Sequence, residues 1–208
     1  SRIDTSDTNT QTKEVTQQVD LSGIQMDFNL NVTPDAEVQI IFDPTMGDII
    51  KSRGAGEMKL SINTLGTFDM VGKYTIEKGD YLFTLQNVIN KKFKINEGST
   101  VLWTGDPFNA NLNVTAIHST SADPKDLTGS TESKRIDVDC RIFLSGLLMS
   151  PTVSYDVFLP KSDETTRSEI SRYIHSDEEK SKQFLSLLLL SRFYFPDRNT
   201  PESSSAGY

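Results

Sequence analysis

Apolar and polar residues alternate with a period of two through most of the segment from Met58 to Leu159. The longest single run begins at Ile136 and ends at Leu148, and most of its alternate side chains are apolar. This pattern is typical of antiparallel strands with one dry face and one solvated face. A long sheet of this kind must cover its apolar face with a second sheet, with its own curled surface or with an apolar ligand.

Turn residues divide the alternating segments, which begin at Leu21, into successive strands. We predict a glycine-rich connector over 46–56, and the turn chemistry predicts hairpins at 77–80 and 96–98. A polar loop over 119–133 is a candidate flap. Further strands are predicted at about 57–64, 67–77, 79–88, 91–96, 99–105, 109–118, 134–148 and 152–160, with a turn at Ser150-Pro151 between the last two.

The spacing of apolar residues becomes helical after Pro160. Ser162 is a suitable N-cap because acidic residues follow it in the first turn. Ser176 and Glu179 have the spacing of a capping box. The sequence therefore predicts helices over about 163–175 and 177–193, the second rich in leucine, which cap an end of the sheet or dock on a partner.

These patterns predict the domain organisation of the chain. The fold class is mainly β: an antiparallel sheet with one apolar face followed by two short C-terminal helices, and the alternation by itself favours a closed β-sandwich core over an open trough. The expected divisions are a polar lead-in arm at 1–18, a β-sheet domain at 19–160, a helical segment at 161–195 and a flexible tail at 196–208. The polar start and the first residue, Ser1, suggest a piece of a longer protein.

Charge and cysteine content exclude several classes of protein. The formal net charge of -8 disfavours nucleic acid as a partner, because such binding needs clustered Lys and Arg. The small cluster of Lys91, Lys92 and Lys94 is predicted to protect a solvated strand edge. Cys140 is the single cysteine, so a disulfide-built scaffold is excluded. No apolar run reaches the roughly 18 residues of a membrane span.

Candidate catalytic groups are few and lack partners. His118 and His175 stand outside any spacing known for a base, a nucleophile or a metal site. Asp137 and Asp139 share a strand face, and their alternation predicts that both are solvated. The sequence therefore predicts a protein that is not an enzyme and that needs no cofactor and no metal.

A block of motifs resembles a known family. A strand with a Gly-containing turn and an aromatic strand leads to a Gly-Asp-Pro turn, then to a strand ending in Ala, and finally to a leucine-rich helix. The stretches are 72–83, 93–107, 109–116 and 183–188. Their order and spacing resemble the C-terminal domain of the TamB family (translocation and assembly module TamB, AsmA-like envelope proteins) over roughly 58–193. The acidic helix after Pro160 is similar to the Bacteroidota-type version.

The resemblance implies a large protein of a Gram-negative bacterium that is anchored in the inner membrane and crosses the periplasm. It also implies that the domain at 19–160 is an elongated, curled antiparallel sheet, an open trough or β-taco with an apolar interior groove. It implies roles in outer-membrane protein assembly, in protein secretion and in phospholipid transport between the two membranes. The implied partners are phospholipid acyl chains and, for the parent protein, an outer-membrane barrel protein of the TamA/BamA type. The extreme C-terminus of the family, which is implied to contact that barrel, lies at or beyond Tyr208.

Together, the alternation and the resemblance predict a lipid groove on the apolar face. The inward residues predicted to line it are Phe28, Leu30, Phe68, Met70, Phe83, Trp103, Leu112, Val114, Ile136, Val138, Ile142 and Leu144. Val114→Asp is expected to block transport while the module still folds. Two alternatives stay open: a closed β-sandwich that binds a partner protein without carrying lipid, and a carbohydrate-active jelly roll, for which the acids lie on the wrong face.

Overall fold

The computed structural model describes residues 23–43, 48–85 and 89–195. These residues form one antiparallel sheet of nine strands and three helices. The predicted arm at 1–18 and the predicted tail at 196–208 lie outside them. The elements are β1 (Gln25–Val32), β2 (Val38–Asp43), β3 (Asp48–Asn63), β4 (Phe68–Leu85), β5 (Ile89–Ile95), β6 (Thr100–Gly105), β7 (Asn111–Ala122), α1 (Lys125–Thr128), β8 (Ile136–Leu147), β9 (Ser150–Phe158), α2 (Glu164–Ser171) and α3 (Asp177–Leu190).

The sheet is a meander, in which strands that follow one another along the chain lie side by side. β1 and β2 lie end to end against β3, and β5 and β6 lie end to end between β4 and β7. The two outer rows, β1/β2 and β9, do not pair with each other in the described part of the chain, so the sheet stays open. The predicted fold class, a curled open antiparallel sheet followed by helices, is confirmed.

A line of irregular pairing, which we call the crease, crosses four neighbouring rows of the sheet. Residues 33–37 separate β1 from β2 and lie opposite the centre of β3. The register shifts next to Arg53 and Gly54, which leaves Glu77 of β4 as an extra residue. Residues 96–99 then separate β5 from β6. Because bulges bend strands and increase their twist, the crease bends the sheet toward its apolar side.

The two predicted hairpin turns are wrong, because both segments belong to the crease. β4 runs without a break through 77–80. Residues 96–98 form an excursion after which the chain continues in the same direction, and the N–H of Gly98 donates to the carbonyl oxygen of Ile76 at 2.9 Å. Asn, Asp and Gly are common to turns and to bulges, so the residue types did not distinguish the two.

Glycines on the concave face, the apolar side of the sheet, allow β3 and β4 to curl. A Cβ atom at Gly54 would collide with the carbonyl oxygen of Thr75. One at Gly56 would lie 2.5 Å from the carbonyl oxygen of Lys73. The connector predicted over 46–56 is therefore wrong in its described part, which is the first half of β3. Its glycines serve close backbone approach inside a strand.

The curl brings distant rows into contact across the concave face. Tyr155 of β9 and Phe83 of β4 have ring centroids 6.4 Å apart, although the rows of β5/β6, β7 and β8 lie between them in the sheet. The sheet thus covers much of its own apolar face, as the sequence pattern requires of an isolated sheet.

The two helices predicted after Pro160 are confirmed as α2 and α3. The predicted N-cap Ser162 is wrong by one residue: α2 begins after Asp163, whose carboxylate accepts the N–H of Thr166 at 2.8 Å. α3 begins with the predicted capping box, in which Ser176 Oγ accepts the N–H of Glu179 at 3.1 Å. These bonds satisfy N–H groups that the first turn of a helix leaves unpaired.

The polar loop predicted over 119–133 contains structure. Its first residues extend β7 as far as Ala122, and α1 follows. The Asp126 carboxylate in α1 accepts two bonds from the Arg192 guanidinium, at 3.1 and 3.2 Å. The loop is thereby tied to the end of α3, in contrast with the free flap that its composition suggested.

Two smaller sequence predictions are corrected by the structure. Lys94 does not lie at an edge, because β5 pairs with β4 on one side and with β7 at Lys94 and Ile95 on the other. At Lys91 and Lys92 the described pairing of β5 is with β4 alone, and both Lys92 and Lys94 form ion pairs with Asp80, at 2.9 and 2.7 Å. The turn between β8 and β9 comes earlier than predicted, since Leu147 and Ser150 already pair.

Candidate functional site

The crease divides the concave face into two halves that differ in solvent exposure. In the half next to β1, which we call the open half, Phe28 is 49% exposed and Leu30 is 44% exposed. In the half beneath α3, which we call the covered half, Phe83 and Ile142 are buried. The apolar side chains of the open half are Met26, Phe28 and Leu30 of β1, Leu60 and Ile62 of β3, and Phe68 and Met70 of β4.

A cavity of about 330 Å³ lies in the open half, beside the crease. Gly72 is paired with Met58 on one side and with Trp103 on the other, and the Met58 side chain lies over it, since a Cβ atom at Gly72 would be 2.7 Å from the Met58 Cγ. The volume lies in the range of small-molecule sites. Its walls are almost entirely apolar and include Leu30, Val38, Met58, Met70, Trp103 and Leu148.

The polar groups around the cavity already have partners. The hydroxyls of Tyr74 and Ser52 are 3.2 Å apart, and the indole N–H of Trp103 donates to the carbonyl oxygen of Pro107 at 3.1 Å. Burial raises the pKa of Tyr74, so its hydroxyl stays neutral at physiological pH. The cavity therefore offers a ligand dispersion contacts and removal from water, with few polar anchors.

Helix α3 fills the covered half. Phe184 is fully buried, and its ring centroid lies 4.5 Å from that of Tyr155 and 6.1 Å from that of Phe93. Leu187 and Leu188 on the same side of the helix are also buried. The sequence left open whether this helix caps the sheet or docks on a partner. In the structure its apolar side lies on the concave face.

The structure places all twelve predicted groove residues on the concave face but in different surroundings. Phe28, Leu30, Phe68 and Met70 line the open half, and Trp103 lines the cavity. Phe83, Leu112, Val114, Val138, Ile142 and Leu144 are buried in the core, and Ile136 is partly buried beside them. Contact with lipid stays a prediction for all twelve. Met58 and Leu148 also line the cavity, although the sequence does not predict this role for them. Alternation shows which face of the sheet a side chain lies on, but it does not show where packing on that face leaves a gap.

The position of Val114 changes how the proposed charge substitution must be interpreted. Val114 is 1% exposed and pairs with Leu144, which is also 1% exposed. An aspartate there would be buried without a partner. This costs roughly several kcal/mol or forces the carboxylate to take up a proton. Val114→Asp therefore tests folding, and a test of transport belongs in the open half.

The candidate catalytic side chains do not come together. The ring of His118 lies 5.5 Å from that of Phe93, and its Nδ1 lies 3.1 Å from the carbonyl oxygen of Lys92. His175 lies 3.3 Å from the carboxylate of Glu179 at the start of α3. Among the residues that the structure describes, no three His, Cys, Asp or Glu side chains are placed to hold a metal ion.

The two aspartates of β8 lie on the convex face, away from the groove. Asp137 forms an ion pair with Lys161 at 2.7 Å and its side chain is 47% exposed. Asp139 accepts a bond from the hydroxyl of Ser119 at 2.7 Å. These contacts fit the solvated strand face that alternation predicts.

A second depression, of about 430 Å³, lies where the crease crosses the convex face. Its wall carries four acidic and four basic side chains, so its charges balance. Asp80 in this wall is already paired with Lys92 and Lys94. The depression is larger than the apolar cavity but lacks a distinctive charge, and the apolar cavity is the better candidate site.

Cys140 is expected to be unreactive in the folded protein. It is fully buried in the covered half, and burial raises the pKa of its thiol to about 12, so the reactive thiolate is scarce at neutral pH. A thiol reagent should label native protein slowly at pH 8 and unfolded protein at once. Because the folded-state pKa is raised, this thiol's contribution to stability is constant below about pH 8.5 and is lost as the pH rises toward 12. Rapid labelling of native protein would contradict this placement.

The described residues form an open, curled sheet with a helix over one end of its apolar face, which is a trough-shaped module. The family model of the TamB C-terminal domain matches residues 2–207. The chain therefore belongs to the TamB family, a family of non-enzymatic envelope modules. Neither a curated protein nor a solved structure matches the chain. No helix among the described residues is long and apolar enough to cross a membrane.

Proposed function

We propose that this module serves phospholipid transport between the inner and outer membranes, with acyl chains lying along the open half of the concave face. One observation carries the proposal: an exposed apolar wall on β1, β3 and β4 continues into an apolar cavity of about 330 Å³. Monomeric proteins rarely expose a continuous apolar surface without a binding partner for it. Roles in outer-membrane protein assembly and protein secretion belong to the same proposal.

The proposed setting is the periplasm, with the module as part of a TamB-like protein anchored in the inner membrane. Its proposed partners are phospholipid acyl chains and, through the parent protein, an outer-membrane barrel protein of the TamA/BamA type. Membership of the family supports an envelope location. The apolar walls of the cavity support an apolar ligand.

The energetics favour reversible binding. Ten buried methylene groups would contribute about 8 kcal/mol at about 0.8 kcal/mol each. Association costs at least about 4 kcal/mol in lost translational and rotational freedom. The difference is at most about 4 kcal/mol for ten methylene groups, and each further methylene group that the groove covers adds about 0.8 kcal/mol. A phospholipid whose acyl chains lie along the whole open half can therefore stay bound during purification, whereas a partly inserted one dissociates readily.

A charge in the open half is expected to reduce lipid binding without unfolding the module. Leu30 is 44% exposed on the concave face, so Leu30→Asp leaves the new carboxylate in contact with water while an acyl chain would have to lie against it. The measurement is native mass spectrometry with lipid extraction on protein purified from a Gram-negative host. The unsubstituted module should carry phospholipid, and this variant should carry little.

Leu102→Asp is the matched control, because Leu102 is 41% exposed and lies on the convex face. It introduces the same charge at a similar exposure, so phospholipid should stay bound. Equal loss in both variants would show a general effect of charge and contradict the groove. If the unsubstituted module carries no lipid and also fails to take up a photoactivatable lipid, the result would contradict lipid transport and favour the alternative.

The alternative is a protein-interaction module without lipid transport. One observation favours it: large apolar side chains are exposed at the C-terminal end of α3. Leu190 is 68% exposed and Leu189 is 51% exposed, and Tyr194 and Phe195 beyond the helix are more than 40% exposed. Replacing Leu190 by aspartate should then abolish capture of the barrel partner, whereas the lipid content of the module should be unchanged.

A further inference from the structure

We infer that helix α3 is a displaceable stopper: it occupies the covered half of the same trough, and an acyl chain replaces it when lipid is loaded. The inference rests on the proposed function, which assigns lipid to the open half. It adds a second lipid position, beneath α3, and a closed resting state.

The two halves are one surface. β3 and β4 run through both of them, so Phe68 of the open half and Phe83 of the covered half lie on the same strand. The concave residues beneath α3 are apolar in the same way as those of the open half, and they include Phe93, Ile142 and Tyr155. The helix, together with the curl that brings Tyr155 to Phe83, buries this half and leaves the open half exposed.

The contact between α3 and the sheet is of a kind that an acyl chain can replace. Phe184, Leu187 and Leu188 supply it through apolar side chains. Apolar burial is non-directional, so a hydrocarbon chain on the same surface restores most of what the helix gives up. A ligand that binds the uncovered surface shifts the population toward the displaced helix.

Two polar ties at the C-terminal end of α3 act as a latch, and a further tie, the ion pair of Lys180 with Asp156 of β9 at 3.6 Å, lies nearer the start of the helix. The hydroxyls of Thr120 on β7 and Ser191 are 3.1 Å apart. The guanidinium of Arg192 binds the Asp126 carboxylate in α1. The side chains at these two ties are only partly buried, so water can replace the bonds when the helix leaves.

A disulfide at the latch tests the inference. In Thr120→Cys/Ser191→Cys the sulfur atoms take the positions of the two hydroxyl oxygens, 3.1 Å apart, from which a small adjustment reaches the S–S length of about 2.05 Å. The native thiol of Cys140 is buried and should not compete. The oxidised protein keeps α3 on the sheet, and the reduced form of the same protein is its control.

The probe is phosphatidylethanolamine with a diazirine on one acyl chain, in vesicles of phosphatidylethanolamine and phosphatidylglycerol. After illumination, mass spectrometry maps the labelled peptides. Reduced protein should carry label in both halves, for example at Phe68 and at Tyr155. Oxidised protein should keep the label at Phe68 and lose it at Tyr155.

The other outcomes are distinguishable. Label confined to the open half in both redox states would overturn the stopper and leave the proposed function standing. Label in the covered half of the oxidised protein would show that α3 is no barrier, which also overturns it. Absence of label from both halves would overturn the proposed function and the stopper together.

A second variant tests the latch without introducing cysteines, in case the cysteine pair prevents folding. Asp126→Asn removes the ion pair with Arg192, so label in the covered half should increase. Glu178→Gln is the control, because it removes an exposed pair with Lys182 that lies within α3 itself. Equal labelling of the covered half in these two variants would contradict the role of the latch.

Discussion

Replacing Phe184 by alanine is expected to lower the free energy of unfolding by about 3–5 kcal/mol. The side chain is fully buried, and its ring lies against those of Tyr155, Phe93 and Phe83, with centroids 4.5, 6.1 and 6.2 Å away. Truncation leaves a cavity among these rings and also removes their aromatic pairing. In a chain of this size the melting temperature should fall by roughly 6–20 °C, at 2–4 °C per kcal/mol.

Urea unfolding followed by the fluorescence of Trp103, the single tryptophan, measures the loss. Leu190→Ala on the same helix is the control: that side chain is 68% exposed, so the change should stay within about 0.5 kcal/mol. Hydrogen exchange separates a local effect from a global one, because detachment of the helix alone unprotects 177–190 and leaves β7 and β8 protected. Equal stability of the two variants would contradict the docking of α3.

Gly54→Ala is expected to cost about 3 kcal/mol, the upper end of the usual range for overpacking. The added methyl group would meet the carbonyl oxygen of Thr75 and lie 3.0 Å from the Cα atom of Ile76. These are backbone atoms of the neighbouring strand, which cannot rotate away as a side chain can. The strands must therefore separate or flatten, and the curl that brings Tyr155 to Phe83 weakens.

Gly23→Ala is the matched control, because nothing lies within 4 Å of a Cβ atom at that position. It should change the free energy of unfolding little, or raise it slightly by restricting the unfolded chain. Thermal and urea unfolding of the two variants give the comparison. Equal stability of the Gly54→Ala and Gly23→Ala variants would contradict the close approach of the β3 and β4 backbones at Gly54.

The sequence predicts the sheet well and its interruptions poorly. Alternation from Met58 to Leu159 places side chains on the correct face because a strand has a strict period of two. The residue pattern predicts connectors and turns at Gly54, Gly79 and Gly98. In the structure these glycines allow neighbouring strands to approach closely or lie in the crease. A single sequence contains the residue types of a bulge without the partner strand that shows it to be one. The capping box at Ser176 was predictable because all its parts are local.

The candidate site shows the same limit. Alternation places the twelve predicted groove residues, including Phe28 and Val114, on the concave face. It does not distinguish residues of an exposed wall from residues of a packed core. That distinction depends on where α3 lies, and a helix docked by apolar contacts leaves no mark at the strands that it covers. The cavity depends on how Met58, Met70 and Trp103 pack around it, which alternation does not report.

The meander also sets an order for folding. Strands that pair are near neighbours in the chain, so hairpins can form one after another as synthesis proceeds, and contacts local in sequence form fast. The exception is α3, since Phe184 follows Phe83 by 101 residues. The sheet therefore forms before its covering helix is available, and the newly made trough is bare along its whole length. During that interval the nascent chain exposes the apolar face of the sheet, and α3 docks only after the strands that it covers have paired.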